Sequence, residues 1–135
     1  MKPFKNEPFT DFTGKRNAAA FREALEKVHG ELNKEYPLII GGEKIFTEDK
    51  ISSLNPSNTN EIVGRVSKAS PEMANRAIET ANLKFEEWKT VPAKKRADYL
   101  FKAAKLMRKR KHEFSAWMVY EVGKNWAEAD GDTAE

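Results

Sequence analysis

The sequence predicts a mostly helical chain carrying one small antiparallel sheet, and three observations predict it. Apolar residues recur at helical spacing over 17–34, over 70–88 and again from Arg96 onward. Between the first two stretches, Gly41-Gly42 sits between short apolar runs in the pattern of a tight hairpin, and two more strand-like runs follow it. Residues 1–16 fit neither period and alternate Pro, Phe and polar residues, as an extended arm does.

In that arm Phe4, Phe9 and Phe12 are separated by Asn6, Glu7, Pro8 and Asp11. Burying each ring gains roughly 1.5 to 3 kcal/mol, so the arm is expected to lie along a folded body. Residues 17–35 form the first predicted helix, with Phe21, Ala24, Leu25, Val28 and Leu32 on one face and charges elsewhere. Gly30 weakens its last turn. Tyr36-Pro37 is expected to end it, because proline lacks an amide donor and restricts the residue before it. His29 has no second ligand at metal spacing and reads as a surface or packing residue.

Residues 36–69 hold the predicted antiparallel sheet. Leu38-Ile39-Ile40 and Glu43-Lys44-Ile45-Phe46 flank Gly41-Gly42, whose capacity for positive φ suits a two-residue turn. A phosphate-cradling loop would need more glycines and a helix directly after it, whereas a strand follows here. Ile51–Leu54 and Glu61–Lys68 complete the sheet around a polar turn at 55–60.

Helices fill 70–135. Ser70-Pro71-Glu72 supplies a capping hydroxyl, a proline where no donor is needed, and an acid at the positive end of the helix dipole. Ala74, Ala77, Ile78, Ala81, Phe85 and Trp88 line one face, and the small residues among them predict close packing on a neighbouring helix. Pro92 punctuates, and the next helix starts near Ala93. Its apolar register, Leu100, Ala104, Met107, Phe114 and Met118, is interrupted by Arg108-Lys109-Arg110-Lys111-His112. Successive helical residues differ by about 100° in azimuth, so five basic residues in a row circle the axis and load no single face. The run therefore predicts a solvated bend between two helical segments, in preference to a helix that reads nucleic acid. Gly123 offers a C-terminal cap, and Asn125 with Glu128 has capping-box spacing for a last helix starting at Trp126. That pattern reaches Glu135 with no stop signal, which raises the expectation of a longer polypeptide.

Composition narrows the function. Lys and Arg number 24 against 21 Asp and Glu, and the signs are interleaved, so a nucleic-acid partner gains little support. Cysteine is absent, which excludes a disulfide, a thiolate metal site and a cysteine nucleophile within these residues. No apolar run approaches membrane-spanning length and 1–9 lacks the apolar segment of a signal peptide, so a cytoplasmic protein without a membrane partner is expected.

An ordered set of short motifs then carries a resemblance. Asn6-Glu7-Pro8, Tyr36-Pro37-Leu38 with Gly42-Glu43, Asn55-Pro56-Ser57 with Val63-Gly64, Arg96-Ala97 through Lys102-Ala103-Ala104, and Glu121-Val122-Gly123-Lys124-Asn125-Trp126 together resemble the N-terminal part of an aldehyde dehydrogenase. The similarity covers essentially all 135 residues and is greatest to the branch that oxidises glutamate semialdehyde in proline catabolism. It implies an α/β fold of the aldehyde dehydrogenase type, with 1–135 as its N-terminal portion and 70–135 as helices bracing a cofactor domain. For the complete enzyme it implies NAD-dependent oxidation of L-glutamate γ-semialdehyde to L-glutamate. In such enzymes a cysteine thiolate attacks the aldehyde, hydride passes to nicotinamide, and a glutamate activates the water that releases the acid. Those groups lie further along a family member, so this chain is expected to hold no catalytic or cofactor-binding residue and to be inactive alone. The partners implied are the remainder of its own polypeptide, a small-molecule substrate and, in a homo-oligomer, further copies of itself.

The resemblance also implies two sites. Glu135, in the helix after the Gly-Lys motif, takes the place of a glutamate near the substrate's amino group, where a carboxylate facing an ammonium is physically sensible. Ser53 and Leu54, before the Asn-Pro turn, and Glu121, before the Gly-Lys motif, match the positions that hold a monovalent cation in many relatives, for which hard oxygen ligands are suited. Relatives outside this branch more often carry aspartate where Glu121 stands. Two other readings stay open on sequence alone: a stand-alone interaction module without catalysis, and a nucleic-acid binder using 108–112.

Overall fold

The computed structural model describes residues 5–135, so Phe4 lies outside the described residues. Along the chain come α1 (Lys15–His29), β1 (Lys34–Tyr36), β2 (Leu38–Ile40), β3 (Glu43–Ile45), β4 (Lys50–Asn55), β5 (Asn58–Ser67), α2 (Pro71–Trp88), α3 (Ala93–Lys109), α4 (Lys111–Val122) and α5 (Trp126–Ala134).

The core lies where α1, α4 and α5 meet. α1 presents Phe21 and Val28, α4 presents Ala116 and α5 presents Ala129, all fully buried. Phe12 of the arm closes this core, its ring 5.1 Å from Phe21 and 5.6 Å from Trp126, both edge-on. Phe9, by contrast, stays 74% exposed, so the apolar docking of the arm rests on Phe12.

The first helix stops at His29 and does not continue to 35. Gly30 takes the cap, and Asn33 adopts φ 63°, which turns the chain out of the helical path. The Asn33 amide donates to the Val63 carbonyl at 3.0 Å and its side-chain oxygen accepts from Arg65, so the turn is fixed onto β5. Residues 34–36 are thereby left extended, and they join β5 as a strand. Pro37 ends that strand, not a helix, since a residue without an amide donor cannot continue the ladder.

This early stop also changes the sheet. Its order is β1-β5-β4, with β1 parallel to β5 and β4 antiparallel, so it is mixed where a wholly antiparallel sheet was expected. The hairpin β2-β3 forms a separate pair across Gly41 (φ 62°) and Gly42 (φ 88°), as the glycine pair predicts. Tyr36 lies over Gly64, and a Cβ there would meet its ring at 3.0 Å, so any larger residue would require the ring to shift. The β4-β5 ladder slips twice, between Ser53 and Leu54 and between Leu54 and Asn55.

α2 starts as its signals predict, with the Ser70 hydroxyl accepting from the Met73 amide at 3.2 Å. Its apolar face does not pack on a neighbouring helix, contrary to expectation. Neither α2 nor α3 has a buried residue, and Ile78, Leu83, Phe85 and Leu100 are each more than half exposed. The two helices touch at their junction through Trp88 and Tyr99, with ring centroids 5.8 Å apart. α2 meets the β2-β3 hairpin through the Arg76–Glu43 pair at 2.6 Å. α3 and α4 break at Arg110 (φ −110°, ψ 20°), which places the expected bend inside the basic run.

Candidate functional site

The short helix α5 carries the candidate substrate contact, and local signals explain why it forms. Gly123 adopts φ 68° and terminates α4. Asn125 then opens α5 with a complete capping box: its side chain accepts from the Glu128 amide at 3.0 Å, and the Glu128 carboxylate accepts from the Asn125 amide at 3.4 Å.

Tertiary contacts fix the rest of the helix. Asp130 is 1% exposed, and its carboxylate accepts from the Thr10 amide at 2.7 Å, the Thr10 hydroxyl at 2.6 Å and Lys111 Nζ at 2.9 Å. Burial alone would raise this carboxyl, but the Thr10 hydroxyl, the Thr10 amide and the Lys111 ammonium outweigh it and hold it below the ordinary carboxylate value. On the next turn Thr133 and the fully buried Ser115 bring their hydroxyl oxygens to 2.9 Å. Lys124 pairs with Asp132 on the outer side.

The basic run is thus more than a solvated bend. Lys111 is only 14% exposed at its side chain and also donates to the Pro8 carbonyl at 2.8 Å. Arg108 reaches Glu7 at 2.6 Å. Arg110 pairs with Glu113, which also accepts from Lys27 at 2.9 Å. Those two cations, Arg110 first, lower the Glu113 carboxyl to about 2. Three of the five basic residues therefore bind carboxylates, and two of them tie the arm to the helices. The sequence held one signal of this network: Asp130 stands one turn after Trp126, on the face of Ala129 and Thr133, and a charge on an inward face requires a partner.

Glu135 follows α5 directly, its amide donating to the Gly131 carbonyl at 3.1 Å. It lines a cavity of about 200 Å³ together with Lys5, Glu7, Arg108 and Lys111. A larger open groove of about 970 Å³ runs between the arm, α1 and the α3-α4 bend, but its walls carry mixed charges and none of the residues singled out as sites.

The second predicted set is only partly assembled. Ser53 and Glu121 line one cavity of about 300 Å³, beside Tyr36, Gly64 and Trp117, whereas Leu54 is not among its walls and is 45% exposed. The two slips in the ladder fall at this segment, where the regular carbonyl pairing of β4 is interrupted. Among the described residues no group of three or more His, Asp or Glu could hold a metal ion. Gly41-Gly42 lies in a hairpin that leads into a strand and not into a helix N-terminus, so this glycine pair is not a phosphate-cradling loop. Nor does any helix of the described residues have the length and apolarity to cross a membrane.

A model of the aldehyde dehydrogenase family matches residues 45–135. The chain belongs to the aldehyde dehydrogenase family. Among relatives of this aldehyde dehydrogenase chain, the 1-pyrroline-5-carboxylate dehydrogenase of Geobacillus thermodenitrificans is 58% identical over 135 residues, covering 100% of this chain and 26% of that protein. The solved structure of a mutant of Thermus thermophilus 1-pyrroline-5-carboxylate dehydrogenase superposes with a TM-score of 0.96 at 47% identity, over 99% of this chain and 26% of that one. The Thermus enzyme with bound NAD gives the same TM-score, identity and coverage. This aldehyde dehydrogenase chain thus spans about a quarter of the length of the relatives it matches, 26% in each of these.

Proposed function

We propose that the chain forms the N-terminal quarter of an NAD-dependent dehydrogenase that oxidises 1-pyrroline-5-carboxylate, as its open form L-glutamate γ-semialdehyde, to L-glutamate. The observation that carries this reading is the 58% identity to a 1-pyrroline-5-carboxylate dehydrogenase, sustained across all 135 residues, arm included. On this reading the nucleophile and the NAD seat lie in the remainder of the polypeptide, and the chain here supplies scaffold. Its partners are that remainder, the small semialdehyde and other copies of the enzyme in a cytoplasmic homo-oligomer. The open faces of α2 and α3 are where the remainder docks. Expressing the polypeptide through and beyond Glu135 and following NADH absorbance tests the reading. Fast turnover with 1-pyrroline-5-carboxylate is the expected result, together with none from residues 1–135 alone. Turnover no faster than with unrelated aldehydes would refute it.

Within that enzyme Glu135 faces the substrate ammonium. Its place directly after α5, a helix anchored through Asp130 to Thr10 and Lys111, supports this role. Glu135→Ala should raise KM for the semialdehyde about tenfold, the value of roughly one charge-assisted hydrogen bond. An unchanged KM would sink the assignment. The Ser53 carbonyl and the Glu121 carboxylate supply oxygens to a monovalent cation, and activity should then fall when sodium and potassium are replaced by choline; indifference to that exchange removes the site.

A further inference from the structure

We propose that Thr10, Lys111 and Asp130 form a latch that positions Glu135, and through it the amino group of the substrate; this rests on the role of Glu135 given above. A buried carboxylate needs full pairing, and Asp130 has it from two directions in the chain: Thr10 lies 120 positions before it, Lys111 19 before it. Lys111 closes the triangle by donating to Thr10 Oγ1 at 3.1 Å as well as to the Pro8 carbonyl. The arm, α4 and α5 are therefore joined at one carboxylate.

Two features make this latch a positioning device for Glu135. First, α5 has nine residues, too few to hold a direction by its own hydrogen bonds, so its tertiary contacts set its angle. Asp130 stands five residues before Glu135, about one and a half turns, and is the buried charged anchor nearest to it. Second, the latched arm also borders the cavity that Glu135 lines. Glu7, held by Arg108 at 2.6 Å, and Lys111 line the same cavity as Glu135. Releasing Thr10 loosens the helix that leads to the carboxylate and another part of the same cavity's lining in one event. A displacement of about 1 Å at a group that binds the substrate costs up to about a hundredfold in kcat/KM.

The test uses the complete enzyme and two substrates, the semialdehyde and 5-oxopentanoate, which has the same chain and carboxylate but no amino group. Thr10→Val keeps the amide bond to Asp130 and removes the hydroxyl that bonds both Asp130 and Lys111. It should raise KM for the semialdehyde about tenfold with kcat unchanged, and leave kcat/KM for 5-oxopentanoate as it was. Thr10→Ser, which restores the hydroxyl, should return KM to its original value. Equal losses for both substrates would show a merely structural strap and overturn the proposal. So would an unchanged KM in Thr10→Val beside a raised KM in Glu135→Ala, a result that leaves the role of Glu135 standing. If Glu135→Ala itself leaves KM unchanged, the role of Glu135 fails, and the latch as stated fails with it.

Discussion

Asp130→Ala should destabilise the chain by about 3 kcal/mol. Removing one partner of a buried ion pair typically costs about 3 to 5 kcal/mol, because the other charge remains without compensation. Here the stranded group is Lys111, 14% exposed, which keeps its bonds to Pro8 and Thr10, and these place the loss at the lower end of that range. Thr10 meanwhile loses the acceptor for both its amide and its hydroxyl. Urea unfolding followed by tryptophan fluorescence is a suitable assay, since Trp126 lies 4.9 Å from Phe21 and 5.6 Å from Phe12 and senses whether the arm is seated. Adding Lys111→Met to Asp130→Ala should recover part of the loss, as neither charge is then left alone. The pH dependence has a definite sign. The folded carboxyl lies below its ordinary value of 3.8, so its stabilisation is complete above that value and fades as pH falls through the lower one. In Asp130→Ala that acid-side loss should disappear. A cost under about 1 kcal/mol, or strict additivity in the double variant, would refute the reasoning.

Two further outcomes follow from the same geometry. Glu113, lowered from 4.5 to about 2 by Arg110 and Lys27, stabilises the fold above pH 4.5 and loses that contribution progressively as pH falls towards 2. The unscreened ceiling is about 3 kcal/mol, and because both cations are half exposed, about 1 to 2 kcal/mol is expected. Glu113→Gln should remove it, as seen by comparing thermal unfolding at pH 7 and pH 3; an identical pH difference in both proteins would count against the pairing. Gly123→Ala should destabilise by about 2 kcal/mol or more, since left-handed backbone costs an alanine about 1 to 2 kcal/mol and the new Cβ would lie 3.0 Å from Pro56 Cγ. Thermal unfolding measures it, and a shift near zero would mean that the α4 terminus relaxes freely.

What the sequence made legible was whatever rests on local chemistry. The Gly41-Gly42 hairpin, the Ser70 cap, the Gly123 terminus and the Asn125–Glu128 box all appear where their residues stand, because each is closed by neighbours within a few positions. The end of α1 was not legible. Gly30 weakens a helix without ending it, and what decides is the bond from Asn33 to Val63, thirty residues on, together with the Arg65 contact. The parallel pairing of β1 with β5 follows from that non-local event. The basic run was half legible: azimuth shows that no face is loaded, and the bend is there, but only tertiary structure shows that Lys111 turns inward onto Asp130. Of the candidate sites, Ser53 and Glu121 do meet in one cavity, while Leu54, the next residue of the strand, is not among its walls.

The chain divides into two energetic regimes, and this explains why a helical pattern can be correct and its packing still absent. The arm, α1, α4 and α5 complete their own core around Phe21, Val28, Ala116 and Ala129, so their apolar residues find partners within the chain. α2 and α3 carry apolar faces of the same quality, yet Leu83 and Leu100 remain 74% and 73% exposed. Exposed apolar surface on this scale marks an interaction face, and each such side chain gains roughly 1.5 to 3 kcal/mol when covered. On the reading proposed above, the cover is the remainder of the enzyme. On that same reading the periodicity of α2 serves packing against that remainder, whereas that of α1 serves packing within the chain described here. The latch sits on the self-sufficient side of this division. Its three residues come from the arm, α4 and α5, so on the proposal above its hold on α5 does not depend on what covers the open faces of α2 and α3.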